Sequence, residues 1–513
     1  MKRQELKKII EKIYPEITSG LQIKRSFKND YGDFSTNIAM IIAKKTSNNP
    51  IQIAENLKKE TKNLFEKIEI VAPGFINFFL FKKDIQEELK YILKKDFGDL
   101  KIGKGKKVQI EFISANPTGP LTVGNARGGP LGDVLGNVFK RAGFKVEKAY
   151  YINDYGMQIE ALGHSVLKDE QAKYKGEYIE ELSERIKEKD PYEAGKQASL
   201  IILNEMIKKT IERMKIKYDE WFLESTLHKE KKIEKTLKVL DKKGLIYEKE
   251  GAKWFKSSLY GDKRDRVVVK TDKNYTYLAG DIAYHEYKFK KKKFDKVINI
   301  WGADHQEDAP GVKAAIKALD CEGKLEFIFL QFVTLFEGGK ELKMSKRQGT
   351  YITMAELLNS VGPDITRFFF LQKGANVHLN FDLSLAKEQS EKNPVYYIQY
   401  AFVRVNSILR KAKNQKLSTN NLDLLNHPSE LKLIKQLTAF SDIIEDTIED
   451  YQVQRIPQYA INLSSCFHQF YRDCRVLSED KKLSETRLSL VLATKLVLKK
   501  VLDIMGVSAP EKM

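Results

Sequence analysis

Two loops in this chain carry the residue types from which a phosphate-handling site can be built. The first runs Ser114-Ala115-Asn116-Pro117-Thr118-Gly119-Pro120-Leu121-Thr122-Val123-Gly124-Asn125-Ala126-Arg127-Gly128-Gly129. Its glycines let the backbone approach a ligand closely, and amides opening a following helix suit a phosphate. Thr122, Asn125 and Arg127 add side-chain donors. The second, Glu341-Leu342-Lys343-Met344-Ser345-Lys346-Arg347-Gln348-Gly349, is cationic and ends in glycine. Lysines on such a loop can neutralise the charge that develops on a transferring phosphate. The ordinary alternatives are a Gly/Pro connection without a ligand and a Lys-rich surface turn. Neither G-x-G-x-x-G nor a Walker spacing occurs, so dinucleotide and P-loop readings are weak.

The elements around these loops follow from periodicity. An apolar strand over 108–113 precedes the first loop, a helical pattern over 132–142 follows it, and a second strand spans 146–152. Strand, loop, helix, strand is a βαβ unit and predicts a parallel sheet, whose C-terminal edge binds ligands. Residues 165–250 read as a charged helical insertion. Strand patterns return at 267–269, 296–301 and 327–335, the last followed by a turn at Gly338-Gly339. Upstream, helical spacing at 8–14 and 51–65 and strands at 68–71 and 75–80 make residues 1–98 a separate unit, joined by a Gly/Lys linker over 101–107. Beyond about 390 the pattern is helical, with glycine-free amphipathic stretches at 431–448, 456–477 and 486–504 that predict a bundle.

Composition narrows the function classes. The 513 residues suggest several domains, and 42% hydrophobic residues are too many for a disordered chain. Cys321, Cys466 and Cys474 cannot form a disulfide scaffold, and neither C-x-x-C nor H-E-x-x-H is present, so no zinc site is expected. There is no apolar run of membrane-spanning length and no secretory signal at the N-terminus, which points to a reducing cytosol. A net charge of +19 favours a polyanionic partner, nucleic acid before a membrane surface, although lysine bias alone gives such a number. The run Lys288-Phe289-Lys290-Lys291-Lys292-Lys293 reads as a solvated turn.

Lys343-Met344-Ser345-Lys346 resembles the KMSKS loop of class I aminoacyl-tRNA synthetases, and Thr122-Val123-Gly124-Asn125 stands where those enzymes carry HIGH. Ser-Ala-Asn-Pro-Thr-Gly-Pro-Leu over 114–121 is similar to the arginyl-tRNA synthetase version of that loop. The likeness spans the chain. Tyr31-Gly32-Asp33-Phe34-Ser35-Thr36-Asn37-Ile38-Ala39 and Pro73-Gly74-Phe75-Ile76-Asn77 resemble that family's N-terminal domain, and Tyr151-Ile152-Asn153-Asp154-Tyr155-Gly156 and Gly302-Ala303-Asp304-His305 its catalytic strand ends. Asn393-Pro394-Val395-Tyr396-Tyr397-Ile398-Gln399-Tyr400-Ala401 resembles the start of its DALR-type anticodon domain, and Ala509-Pro510-Glu511-Lys512-Met513 its ending. One departure is chemical: Thr122 and Asn125 replace the two HIGH histidines and can donate hydrogen bonds but carry no charge.

The resemblance implies an α/β chain. A Rossmann-like parallel-sheet catalytic domain (106–390, with the helical insertion at about 165–250) lies between an α+β N-terminal tRNA-elbow domain (1–100) and an all-α anticodon-binding bundle (391–513). It implies ligation of L-arginine to the 3′ end of tRNA(Arg) through arginyl-adenylate, with ATP and Mg²⁺ and without zinc, in a cytoplasmic monomer, and an ATP–pyrophosphate exchange that typically needs tRNA. Lys343, Lys346, Thr122 and Asn125 become the catalytic candidates; Pro117, Gly119, Gly124, Gly302, Asp304, Met344 and Ser345 join Thr122 and Asn125 around ATP. For the amino acid, Tyr277 and Asp281 would take the guanidinium, their spacing of four sharing a face if helical, while Glu111, Ser114, Asn116 and His305 would meet the rest. The residues alone would assign Asp281 to a helix cap and Tyr277 to a core. For tRNA the candidates are Asn37, Tyr397, Arg404, His468 and Tyr471, with Phe470, Arg410 and Arg475 beside them. The competing readings are another class I synthetase, for instance for cysteine, and a tRNA-binding protein without catalysis.

Overall fold

The strand, loop, helix, strand order after residue 106 closes into a five-stranded sheet in which every pair is parallel. In this computed structural model, which describes residues 2–15, 22–26, 31–342, 352–413 and 415–513, the strand Lys107–Glu111 lies at the centre. The chain steps to one side through Lys145–Ile152 and Glu220–Leu223, then returns on the other through Lys296–Gly302 and Lys324–Leu330. A crevice therefore opens between Lys107–Glu111 and Lys296–Gly302 at their C-terminal ends, the topological switch point of the sheet. Val108, Ile110, Val297 and Ile298 are buried, as expected of strands covered on both faces. Helix Gly128–Arg141 packs so closely on the central strand's continuation that a Cβ at Gly132 would meet the Phe112 ring at 2.2 Å.

The helical insertion expected over 165–250 also contains strands. Helices Met157–Leu167, Glu177–Arg185 and Pro191–Ile201 are present, but Glu220–Leu223 is the edge strand of the main sheet and Ile246–Lys249 joins a three-stranded antiparallel sheet with Ala252–Phe255 and Arg266–Val269. Strands of four residues among lysines and glutamates leave no alternation long enough to register.

By spatial clustering the chain forms two units: Met1–Phe97, Arg404–Asp442 and Asn462–Leu498 make one, and Gly98–Val403, Ile443–Ile461 and Lys499–Met513 the other. The first holds a four-stranded antiparallel sheet whose hairpin pairs Lys67–Val71 with Phe75–Phe79, close to the expected 68–71 and 75–80. Within this unit Asp442 of helix Pro428–Asp450 accepts from Arg25 Nε at 2.7 Å, and Lys435 pairs with Asp33 at 2.5 Å. The N-terminal residues and part of the helical C-terminus thus share one body. Helices Pro428–Asp450, Arg455–Asp473 and Lys481–Met505 occupy the stretches whose periodicity predicted a bundle. No helix among the described residues is long and apolar enough to cross a membrane.

Candidate active site

The central strand ends on Glu111, and the chain then turns through Ile113 and Ser114 with positive φ values of 65° and 42°. Such angles are costly for a β-branched residue and persist where surrounding contacts impose them. Here the backbone N–H of Tyr151 donates to Ser114 Oγ at 3.1 Å, and Ser114 Oγ lies 3.4 Å from Glu111 Oε1. The other carboxylate oxygen of Glu111 accepts from Lys288 Nζ at 2.6 Å. Lys288 is wholly buried and opens the run expected to be a solvated turn. That expectation is corrected: Tyr287–Lys291 is a π-helical turn that carries Lys288 inward, while Lys290 pairs with Glu286 and Lys292 with Glu147 and Glu220.

Tyr277 and Asp281 sit on helix Tyr277–Glu286, so their spacing does put them on one face. Tyr277 is exposed, not a core aromatic, and the cap is Thr276, not Asp281. Asp281 is half-buried, and its carboxyl is pushed well above the usual carboxylate range by burial and by the negative charges of Glu111 and Glu224. Glu224 follows the edge strand and is buried. Its Oε2 lies 2.8 Å from the Asn153 amide, oriented to donate, and its Oε1 lies 3.8 Å from His228, against which Tyr155 stacks at 3.9 Å. A Cβ built on Gly280 would stand 3.8 Å from Glu224 Oε1 and 4.0 Å from the Tyr151 hydroxyl. Burial and the charges of Glu224, Asp281 and Glu111 push that hydroxyl's pKa well up. Three carboxylates thus share one pocket with a single buried lysine. Grouped carboxylates attract cations, and a molecule with two cationic ends fits the arrangement.

Sequence reasoning did not single out Glu224, Asn153, Lys288, His285 or Asn299 as site residues. Asn153 lay inside a quoted strand end; Glu224 carried no local signal.

Around the first loop, Thr122 caps the one-turn helix Val123–Ala126: the Asn125 N–H donates to Thr122 Oγ1 at 3.2 Å, and that hydroxyl lies 2.5 Å from Asn125 Oδ1. Gly124 and Asn125 are exposed and Pro117 is buried. The Asn116 side chain is taken up by Gln158 at 2.5 Å, and a Cβ on Gly119 would meet the Tyr178 hydroxyl at 3.1 Å. Arg127 does not serve as a phosphate donor. Its guanidinium is buried and donates to the carbonyls of Gln331, Phe332, Gly374 and Val377, and burial lowers its pKa to about 10.

Lys343, Met344, Ser345 and Lys346 lie outside the described residues. The residues that follow them are tied to the first loop: Thr353 bridges to Thr122, and the Met354 N–H donates to the Leu121 carbonyl at 2.7 Å. On the other wall of the crevice Asn299 pairs in register with Glu111, so Gly302, Asp304 and His305 overhang the opening. At Gly302 a Cβ would stand 2.3 Å from Asp304 Oδ1, so a side chain there would displace the exposed Asp304 carboxylate. The His305 ring lies between Asp304 and Asp308, at 3.7 and 3.5 Å.

The nucleic-acid candidates separate. Asn37 precedes helix Ile38–Thr46 and lines a shallow cavity with Gln22, Lys24, Ser35, Thr36 and Phe75. Arg404 lies 4.9 Å over the ring of the exposed Tyr471, and His468 stands beside Phe467, all within the first unit. Tyr397, half-buried, belongs to the second unit. Phe470 is fully buried and packs in the core, which removes it from the tRNA candidates.

Comparisons with known proteins bear on the whole chain. Models of the arginyl tRNA synthetase N terminal domain, the class I (R) tRNA synthetase catalytic domain and the DALR anticodon binding domain match residues 2–80, 88–190 with 177–362, and 398–513. A curated relative from Caldanaerobacter subterraneus subsp. tengcongensis, named arginine–tRNA ligase, is 41% identical and covers 97% of this chain and 94% of its own. One of the same name from Carboxydothermus hydrogenoformans is 43% identical over 96% of this chain and 94% of its own. The solved Thermus thermophilus arginyl-tRNA synthetase, 21% identical, matches the fold with a TM-score of 0.81 over all of both chains.

Proposed function

The chain belongs to the arginyl-tRNA synthetase family, and from that premise we propose which of its residues carry each part of the reaction. It is an arginine–tRNA ligase, a class I enzyme that activates L-arginine with ATP and aminoacylates tRNA(Arg). In the first step a carboxylate oxygen of arginine bonds to the α-phosphorus of ATP and the bond to the β-phosphate breaks, releasing pyrophosphate. In the second the terminal ribose hydroxyl of tRNA bonds to the arginyl carbonyl carbon, and AMP leaves. Both steps need positioning and charge neutralisation more than acid–base groups.

The arginine lies in the three-carboxylate pocket. Asp281, with Tyr277 above it and Glu224 beside it, takes the guanidinium, and Glu111 takes the ammonium through the oxygen that Lys288 leaves available. Ser114, Asn116 and His305 border the carboxylate end. The observation that carries this assignment is the grouping of Asp281, Glu224 and Glu111 around one buried lysine, Lys288, which is already held by Glu111 at 2.6 Å; burial first, and then the charges of Glu111 and Glu224, push the Asp281 carboxyl up. Arginine has a cation at each end, and a planar guanidinium suits carboxylates in a fork.

ATP lies along Pro117, Gly119, Thr122, Gly124 and Asn125, with Gly302 and Asp304 at its ribose. Met344 and Ser345 complete the site, and Lys343 and Lys346 neutralise the pyrophosphate as it forms. Thr122 and Asn125 hold phosphate by hydrogen bonds alone. Among the described residues no group of His, Cys, Asp and Glu is placed to hold a metal ion. Magnesium bound with the ATP phosphates would supply further charge neutralisation.

Residues 1–100 meet the tRNA elbow around Asn37, 106–390 carry the catalysis, and 391–513 read the anticodon through Tyr397, Arg404, His468 and Tyr471. The enzyme works as a cytoplasmic monomer. Asp281→Asn tests the central assignment by tRNA-dependent ATP–pyrophosphate exchange: arginine activation nearly disappears while tRNA binding persists. Unchanged kinetics in that variant would remove the assignment.

A further inference from the structure

Beneath the pocket, buried side chains join the two walls on which the arginine carboxylates sit. Lys288 Nζ donates to Glu111 Oε2 at 2.6 Å and to Asn299 Oδ1 at 3.2 Å. The Asn299 amide donates to His285 Nε2 at 2.6 Å, and His285 Nδ1 lies 2.7 Å from the backbone carbonyl of Asp281. A carbonyl can only accept, so Nδ1 carries the proton and Nε2 is the acceptor. Every bond in the chain then has a defined direction. Burial and the Lys288 charge hold the His285 pKa well below its usual range, so the ring stays neutral and this tautomer persists. Lys288 and Asn299 are fully buried, and His285 and Glu111 nearly so.

A buried ion pair is weak evidence for stability, because apolar side chains of similar volume fill such a space at least as favourably. What this chain of bonds does have is a particular placement. One end grips Glu111 on the central strand; at the other, Asn299 grips His285, a residue of the helix Tyr277–Glu286 whose ring bonds one turn back to the Asp281 carbonyl. The π-helical turn at Tyr287–Lys291 brings Lys288 around to the face that His285 occupies.

We propose that Lys288, Asn299 and His285 are positioning residues that hold the distance between Glu111 and the Asp281 helix, and so set the length of amino acid the enzyme activates. The inference rests on the reading in which Glu111 takes the ammonium and Asp281 the guanidinium. With the two walls locked, arginine spans them and its longer or shorter homologues do not. A rigid pocket discriminates one methylene by about tenfold or more, and a pocket whose walls drift loses that discrimination.

His285→Phe keeps the ring volume and removes both bonds; Asn299→Leu cuts the chain at its middle. His285→Gln is the conservative control, since its amide can donate and accept. The assay is tRNA-dependent ATP–pyrophosphate exchange with arginine and with homoarginine, one methylene longer, alongside thermal melting of each variant. The ratio of kcat/KM for arginine over homoarginine is expected to fall about tenfold in His285→Phe and Asn299→Leu, mainly through the KM for arginine, with the KM for ATP within twofold of the parent. His285→Gln is expected to retain most of the ratio. A ratio within twofold of the parent in a folded breaking variant overturns the proposal, and so does loss of folding in both, which would make the chain of bonds structural alone. Asp281→Asn, run beside them, separates the two levels: if it still activates arginine, the underlying assignment is what has failed.

Discussion

Gly280 gives the most discriminating single substitution, because the same methyl group is expected to help the fold and harm the reaction. It lies in the first turns of helix Tyr277–Glu286, where glycine costs about 0.5–1 kcal/mol relative to alanine. An added Cβ meets Glu224 Oε1 at 3.8 Å and the Tyr151 hydroxyl at 4.0 Å. Both are ordinary van der Waals distances, so the empty enzyme accommodates Gly280→Ala without a clash. Its catalytic unit should melt at the same temperature or slightly higher, the gain being up to about 1 kcal/mol. The methyl points, however, at the Glu224 carboxylate assigned to the arginine side chain and at the Tyr151 hydroxyl beside it. A displacement of about 1 Å at a reacting group costs about a hundredfold, and a methylene of misfit about tenfold. The expected loss in kcat/KM for arginine is therefore about 10- to 100-fold, with the KM for ATP little changed. The measurements are tRNA-dependent ATP–pyrophosphate exchange and a thermal melt on one preparation. A variant that activates arginine normally refutes the placement of the guanidinium beside Glu224. A variant that melts lower refutes the steric argument.

Lys346→Ala is expected to lower kcat more than it raises the KM for arginine, as befits a group that acts on developing charge; a pure KM effect in steady-state aminoacylation would contradict that role. Asp133 accepts from Lys148 at 2.6 Å and from Arg367 at 2.5 Å; burial alone would raise its carboxyl, but the charges of Arg367 and Lys148 outweigh burial and hold it below the usual range. A depressed folded pKa contributes stability above the unfolded value of about 3.9, lost as pH falls through the folded value. Asp133→Asn should therefore lose about 3–5 kcal/mol near neutrality, and its gap from the parent in urea-unfolding midpoints should close in acid; a constant gap would count against the ion pairs. Lys24→Ala, at the Asn37 cavity, should weaken tRNA binding and reduce the salt slope of affinity by about one, read by filter binding at several salt concentrations. An unchanged slope would remove that cavity from the tRNA contacts. The point substitution is preferable to deleting the N-terminal module, since Arg25 and Asp33 of that module bind Asp442 and Lys435.

The sequence by itself determined the elements whose signals are local. Alternation and apolar runs located the strands at 107–111, 145–152 and 296–302 to within a few residues, and three-and-four spacing located the long C-terminal helices. The spacing of Tyr277 and Asp281 needed only a helix to put them on one face, and a helix is there. The two loops were legible because glycine, proline and clustered lysine mark them regardless of what surrounds them. Tertiary structure decided everything that depends on a distant partner. A lysine in a run of lysines reads as solvated until Glu111, 177 residues away in the chain, is brought to Lys288. Glu224 became part of a carboxylate cluster only when a four-residue strand took its place at the sheet edge. Phe470 and Tyr471 are adjacent aromatics on one helix, and only packing made the first a core residue and left the second beneath Arg404. Charge, burial and aromatic stacking are energies between groups far apart along the chain, and periodicity within a few residues does not contain them.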